Sequence, residues 1–245
     1  MSNDTPPVEI TLRIPGNWAH PGELIERLPS GFQISPEGMV FPDGQRVEMV
    51  PMAPDRQFAQ IFESSCRRPA TREELARVQN YSVNIGLIGP GGSLDAARTM
   101  MEAAAVIIQA GGAGVFIDNC GLAHGGQQWL EYLEDSSPDA LSFAFVSIVR
   151  GEQVAYTIGM HALGLPEIRM RQVDIESNSN LIIDVLRYIC QSDRPVDEGH
   201  ALILEGGQMF HVVSKSNPDF GEGTPMYNPY GSLKLLPAKE IAERN

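Results

Sequence analysis

The stretch from Val83 to Ile117 constrains the fold more than any other part of the chain. Val83, Ile85 and Leu87 fall at alternate positions, as a strand requires, and Gly89-Pro90-Gly91-Gly92 turns the chain. Ser93 is placed to cap the helix that follows. That helix has an apolar stripe of Leu94, Ala97, Met101, Ala104 and Ile108 and a polar stripe of Asp95, Arg98, Glu102 and Gln109, and Gly111-Gly112 stops it. Val115–Ile117 then reads as a short buried strand. Strand, helix and strand in this order predict a right-handed parallel crossover.

The flanking segments continue the mixture of element types. Val8, Ile10, Leu12 and Ile14 alternate with polar residues in a half-buried strand, and Thr71 with Glu74 makes a capping box for a helix. The first third of the chain reads as β-α-β-β-α-α. Further on, Trp129, Leu130 and Leu133 mark a short helix. Leu141–Val149 is apolar on both faces and predicts a central strand, and Gly151-Glu152 turns it into Val154–Met160. Ile168 and Met170, alternating with Arg169 and Arg171, predict an edge strand. Leu181, Ile182, Val185, Leu186 and Ile189 share a helix face, and Ala201–Leu204 with Met209–Val213 predicts a hairpin turned at Gly206-Gly207. The fold expected is therefore α+β, with two closely packed ferredoxin-like halves, each a split β-α-β unit, and mixed, mostly antiparallel sheets with helices on one face. The expected division is residues 1–80, and 81–245 as β-α-β-α-β-β-β-α-β-β, with a boundary near Arg77–Tyr81.

Composition narrows the classes of partner. The 31 acidic and 18 basic residues give a net charge of −13, a field that repels nucleic acid and anionic membranes. Cys66, Cys120 and Cys190 are odd in number, far apart and without a CxxC pair, which points to reduced thiols and a cytoplasmic protein rather than a disulfide scaffold or zinc knuckle. The N-terminus lacks the basic and apolar regions of a signal peptide, and the apolar run at Met100–Gly112 is too short to span a bilayer. Disorder is expected only at Met1–Pro7 and Asn217–Thr224.

Three constellations carry candidate chemistry. The strand–turn–helix at Gly86–Ala97 is shaped like a phosphate loop, but it has no Walker lysine, Leu94 stands where a dinucleotide fingerprint needs glycine, and Asp95 repels an anion. A tight turn with a cap is the simpler reading. Asp118-Asn119-Cys120-Gly121-Leu122-Ala123-His124 follows a buried strand and brings a carboxylate, a thiol and an imidazole within seven residues. Cys120 and His124 could act as nucleophile and base, or His124 could ligate a metal. A structural loop with a buried thiol serves equally well. The Thr157–Glu167 loop, with Gly159, His161, Gly164 and Pro166, offers His161 and Glu167 as titratable groups. If the two loops meet, their histidines and carboxylates would form one cleft. His20, His200 and His211 have no ligand partner at helical spacing, and no HExxH, GxSxG or EF-hand pattern occurs.

The segments Ala104–Phe116 and Tyr156–Ile168 together resemble a bacterial family known only as a domain of unknown function. The resemblance covers about Tyr81–Val213, its most specific part is Thr157–Ile168, and the first 80 residues lie outside it. It implies no activity, cofactor or catalytic residue.

These readings lead to a non-catalytic binding module that takes a protein or small ligand through Asp118, His124, Trp129, His161 and Glu167. An immunity or defence protein whose acidic surface blocks a basic toxin is one variant. The rival is a hydrolase using Cys120 with His124, or a metal held by His124, His161 and a carboxylate. No cofactor is implied, and a homo-oligomer stays open.

Overall fold

The computed structural model describes residues 7–176, 180–192, 194–204, 207–216 and 219–239. Met1–Pro6, Asn217 and Pro218, within the segments expected to be disordered, lie outside these, as does Gly206 of the expected hairpin turn.

The architecture is α+β, with two mostly antiparallel sheets. The first has β1 (Glu9–Gly16), β2 (Gln33–Ser35), β3 (Gly38–Val40), β4 (Arg46–Met52), β5 (Val83–Pro90), β6 (Gly114–Ile117) and β7 (Leu122–Gly125), in the order β2-β3-β4-β5-β1-β6-β7. Helices α1 (Pro21–Glu26), α2 (Phe58–Ser65), α3 (Arg72–Gln79) and α4 (Leu94–Gln109) fall among its strands. After α5 (Gly126–Asp135) and α6 (Pro138–Phe145) comes the second sheet. Its strands are β8 (Ser147–Arg150), β9 (Val154–Ile158), β10 (Glu167–Arg171), β11 (Ala201–Ile203), β12 (Met209–Ser216) and β13 (Ser232–Pro237), in the order β11-β12-β13-β10-β9-β8. A 3-10 turn, Met160–Leu163, joins β9 to β10, and α7 (Gln172–Ile175) and α8 (Leu181–Gln191) lie between β10 and β11.

β1 is the hub of the first sheet. Ile10, Leu12 and Ile14 are wholly buried on one face, and β1 pairs antiparallel with β5 on one side and β6 on the other. β5 and β6 therefore run in the same direction, as a crossover through α4 requires. They are not neighbours, because β1 lies between them. The junction at residue 80 also falls inside this sheet, since β5 is bonded to both β4 and β1.

The second sheet consists of two antiparallel runs, β8-β9-β10 and β11-β12-β13, joined by the parallel pair β10–β13. Two equivalent ferredoxin-like halves are not what this pairing displays. Main-chain hydrogen bonds between distant segments, not the local periodicity of each strand, select the order.

α4 is buried over most of its circumference. Every residue from Ala103 to Ile108 is buried, and the helix contacts β5 and β1 as well as α5, α6 and the 3-10 turn. Ala103, Ala104 and Ala105 let these elements approach closely. One core cluster consequently runs from Ile10 and Leu12 through α4 and α8 to Leu233 and Leu235. A smaller one, Phe58, Phe62, Val78, Tyr81, Ala113 and Ala123, sits under α2 and α3.

Three local expectations change. Leu141–Val149 is not a central strand: Leu141–Phe145 belongs to α6, and only Ser147–Arg150 is extended, as an edge strand. Ser137 accepts a hydrogen bond from Ala140 N at 3.1 Å, Pro138 opens the helix and Asp139 sits in its first turn, so the start signal was upstream of the apolar run. The run looks two-faced because nearly all of the short helix is buried. β10 is interior rather than an edge: Arg169 and Arg171 stand on a half-exposed face, which does not mark an edge. Leu122–Gly125, expected as loop, is the edge strand β7.

The Gly-rich turn after β5 docks onto the 3-10 turn. Gly92 N donates to Ala162 O at 3.0 Å, and Gly164 (φ +81°) passes so close that a Cβ there would lie 2.3 Å from Gly92 O. Ser93 caps Ala96 N at 3.1 Å. The chain itself thus occupies part of the donor set that a phosphate would need. Among the described residues no helix is long and apolar enough to cross a membrane.

Candidate functional site

Where β6 ends, β1 loses its strand partner on that side, and the side chain of Asn119 replaces it. Asn119 Oδ1 accepts from Thr11 N at 2.8 Å, while its Nδ2 donates to Glu9 O at 2.8 Å and to Pro225 O at 3.2 Å. An amide can do this because it carries both an acceptor and donors in one plane. The preceding Asp118 turns outward and accepts from Arg13 Nε and Nη2 at 3.0 and 2.7 Å.

The second loop is built around the buried carboxylate of Glu167. Its Oε1 accepts from Gly159 N (3.0 Å), Met160 N (3.1 Å) and Asn228 Nδ2 (2.8 Å), and its Oε2 accepts from Thr157 Oγ1 (2.7 Å). Two successive N–H groups can converge on one oxygen because Gly159 adopts φ +108°, open to glycine and strained for other residues. Thr157 Oγ1 in turn accepts from Ile168 N at 2.8 Å, and Asn228 also donates to Leu165 O at 3.0 Å. The network ties β9, the 3-10 turn and β10 to the segment before β13.

His161 lies between the two loops. Its Nε2 is 3.0 Å from Pro225 O, an acceptor, so the ring proton belongs on Nε2. Asn119 Nδ2 is 3.2 Å from the same nitrogen, so the Asp118–His124 and Gly159–Glu167 loops do meet. His161 Nδ1 is 3.6 Å from Glu167 Oε1 and makes no hydrogen bond.

The remaining candidates lie in the core. His124 is fully buried, with Nε2 2.9 Å from Ala144 O and its ring against Trp129 and Tyr132. Burial pushes its pKa down to about 4, so the ring is neutral at pH 7. Trp129 donates from Nε1 to Met101 O at 2.9 Å and stacks edge-on against Phe145. It is a core residue without a surface to offer a partner.

Cys120 is buried, and burial pushes its thiol up to about 12. Because His124 Nδ1 has no hydrogen-bond partner and Nε2 is engaged by Ala144 O, neither nitrogen takes the Cys120 proton. The nucleophile–base pair expected from spacing alone is not assembled. Among the described residues, no three His, Cys, Asp or Glu side chains gather as a metal site requires.

A direct measurement follows from the thiols. At pH 7.5 iodoacetamide is expected to leave Cys120 and Cys190, both pushed up to about 12 by burial, unmodified for as long as the protein stays folded. A thiol near 12 carries on the order of a thousandfold less thiolate than a free cysteine. Mass spectrometry showing Cys120 alkylated as fast as a free thiol in the native protein would contradict this environment.

A cleft of about 370 Å³ opens beside Asn119 and His161, with Thr11, Pro225 and Tyr227 also in its wall. Glu9 and Glu222 line it as well, and both are exposed. Of the five residues expected to bind a ligand, only His161 reaches this cleft. Asp118 is committed to Arg13, Glu167 supports the loop from behind, and His124 and Trp129 lie elsewhere in the core. Asn119, beside Asp118 in the expected loop, is the wall residue that sequence reasoning passed over. Its role depends on backbone groups of β1 more than a hundred residues away, for which no local signal exists.

Residues 156–228 match a family model described as Domain of unknown function (DUF4261). The match includes the Thr157–Ile168 segment, continues past Val213 and leaves out residues 81–155, which the sequence resemblance had included. Thr157, Gly159, His161, Glu167, Pro225 and Asn228, the residues of the Glu167 and His161 network on this side, all fall inside it. No curated protein and no solved structure matches the chain.

Proposed function

We propose that this protein is a non-catalytic binding module whose site is the cleft between the start of β1 and residues 222–229. The observation that carries the reading is the junction of Asn119 and His161. Two buried polar side chains, one from each sheet-bearing region, form a wall of an open cleft while their own hydrogen bonds hold the wall rigid. Rigid polar groups in a concave, partly apolar surface suit recognition. The pair expected for hydrolysis is not activated, since Cys120 is a protonated thiol and His124 a neutral buried ring.

Glu9 and Glu222 favour a cationic or neutral occupant, as does the overall charge of −13. Tyr227, an aromatic side chain, also lines the cleft and suits such a group. Arginine amide is a suitable first probe, followed by saturation-transfer NMR on the intact chain. Binding is expected for the native protein and is expected to be lost in Thr224→Trp, where an exposed position lining the cleft is filled with bulk. Equal saturation transfer in both proteins would place the site elsewhere.

A further inference from the structure

A second, oppositely charged surface lies on the open face of the second sheet. In a chain of net charge −13, Arg169, Arg171 and Lys234 line one depression of about 240 Å³ together with Val154, Ser214 and Ser216. The sheet register puts Arg169 and Lys234 directly opposite each other across the parallel β10–β13 pair. Like charges on facing positions of neighbouring strands cost stability unless something neutralises them. Asp219 accepts from Arg169 Nη1 at 2.6 Å and Asp174 accepts from Arg171 Nε at 2.8 Å, so each arginine has a carboxylate. Lys234 is exposed and has no ion pair among the described residues, so its ammonium stands unneutralised there.

The backbone of β12 adds a second, independent feature. Val212 pairs with Leu235 and both face the core, so a regular strand would turn Ser214 inward as well. A bulge between Val212 and Ser214 shifts the register, and Ser214 pairs with Lys234 instead. The same shift brings Ser216 opposite Ser232, their hydroxyl oxygens 2.6 Å apart. Bulges re-aim side chains in this way. Here the result is a hydroxyl donor set beside the unpaired ammonium and the guanidinium of Arg169.

We propose that this depression is an anion site that takes the phosphate group of a small molecule, with Lys234 and Arg169 supplying charge and Ser214 a hydroxyl donor. A tetrahedral oxyanion can accept from all three at once, which a monovalent halide cannot do with the same directionality. The site is separate from the Asn119–His161 cleft and selects the opposite charge.

Titrating the intact chain with inorganic phosphate at constant ionic strength, followed by amide shifts in heteronuclear NMR, tests the assignment. Saturable shifts confined to Ser214, Lys234 and Arg169 are expected, with affinity at least tenfold weaker in Lys234→Gln and unchanged in the surface control Lys239→Gln. Phosphoserine, used as a second probe, is expected to saturate the same amides. Linear, non-saturating shifts, the same response to chloride, or equal binding by Lys234→Gln would overturn the proposal. Because Lys234 is exposed, its replacement by glutamine leaves the fold intact and the comparison interpretable.

Discussion

Replacing Glu167 with alanine is expected to cost about 3–5 kcal/mol of folding stability. The carboxylate is 6% exposed and accepts four hydrogen bonds, from Thr157 Oγ1, Gly159 N, Met160 N and Asn228 Nδ2. Its removal strands four buried donors, and each unsatisfied donor costs about 1–3 kcal/mol before local relaxation. A natural domain has only about 5–15 kcal/mol in total, so this change takes a large share. Glu167→Gln keeps the shape but turns an amide NH₂ toward groups that are themselves donors, and an intermediate loss is expected. Equilibrium denaturation with urea measures both. A loss below about 1 kcal/mol for the alanine variant would mean that the donors find other partners and that the network does not hold the loop.

The second large effect is an acid destabilisation centred on His124. Burial depresses its pKa from 6.5 in the unfolded chain to about 4 in the fold. The unfolded state therefore binds the extra proton between those values, and stability falls as pH falls. The contribution is complete above pH 6.5, smaller by about 2 kcal/mol at pH 5 and by roughly 3 kcal/mol at pH 4.

Glu74 acts in a lower window. Burial alone would raise its pKa, but hydrogen bonds from the backbones of Gln127 and Thr71 outweigh it and lower the value below 4.5. Its stabilising contribution is present above the unfolded value and is lost as pH drops through the folded one. Comparing denaturation midpoints at pH 7 and pH 5 in the native protein and in His124→Gln separates the two groups. The native protein is expected to lose about 2 kcal/mol more than the variant over that interval. Equal losses would show that His124 is not held neutral by the core.

The local elements were largely legible because their signals are local. Ser93 and the glycines at 111 and 112 bound α4, and the alternation of Ile10, Leu12 and Ile14 marks β1 as half-buried. The Thr71–Glu74 capping box is present as its spacing implies. Leu141–Val149 failed because a short apolar run fits a buried helix and a buried strand equally well, and the deciding cap at Ser137 lay outside it. The site was legible only in part. The sequence marks both loops as candidates, and His161 lies where they meet. Cys120 and His124, four positions apart, look like a reactive pair, yet His124 lies on the strand Leu122–Gly125 and its imidazole meets Ala144 O instead.

By itself the sequence determined the caps of α3 and α4, the glycine stop of α4, its apolar stripe and a charge hostile to polyanions at long range. Each of these depends on neighbours within a few residues or on simple summation of charge. Only the tertiary structure decided that β1 enters between β5 and β6, that Asn119 completes β1 in place of a strand, and that a bulge in β12 places Ser214 beside Lys234. These features rest on backbone groups finding partners far along the chain. A buried N–H or C=O must be satisfied wherever the fold brings it, and no local pattern records which distant residue will meet that demand.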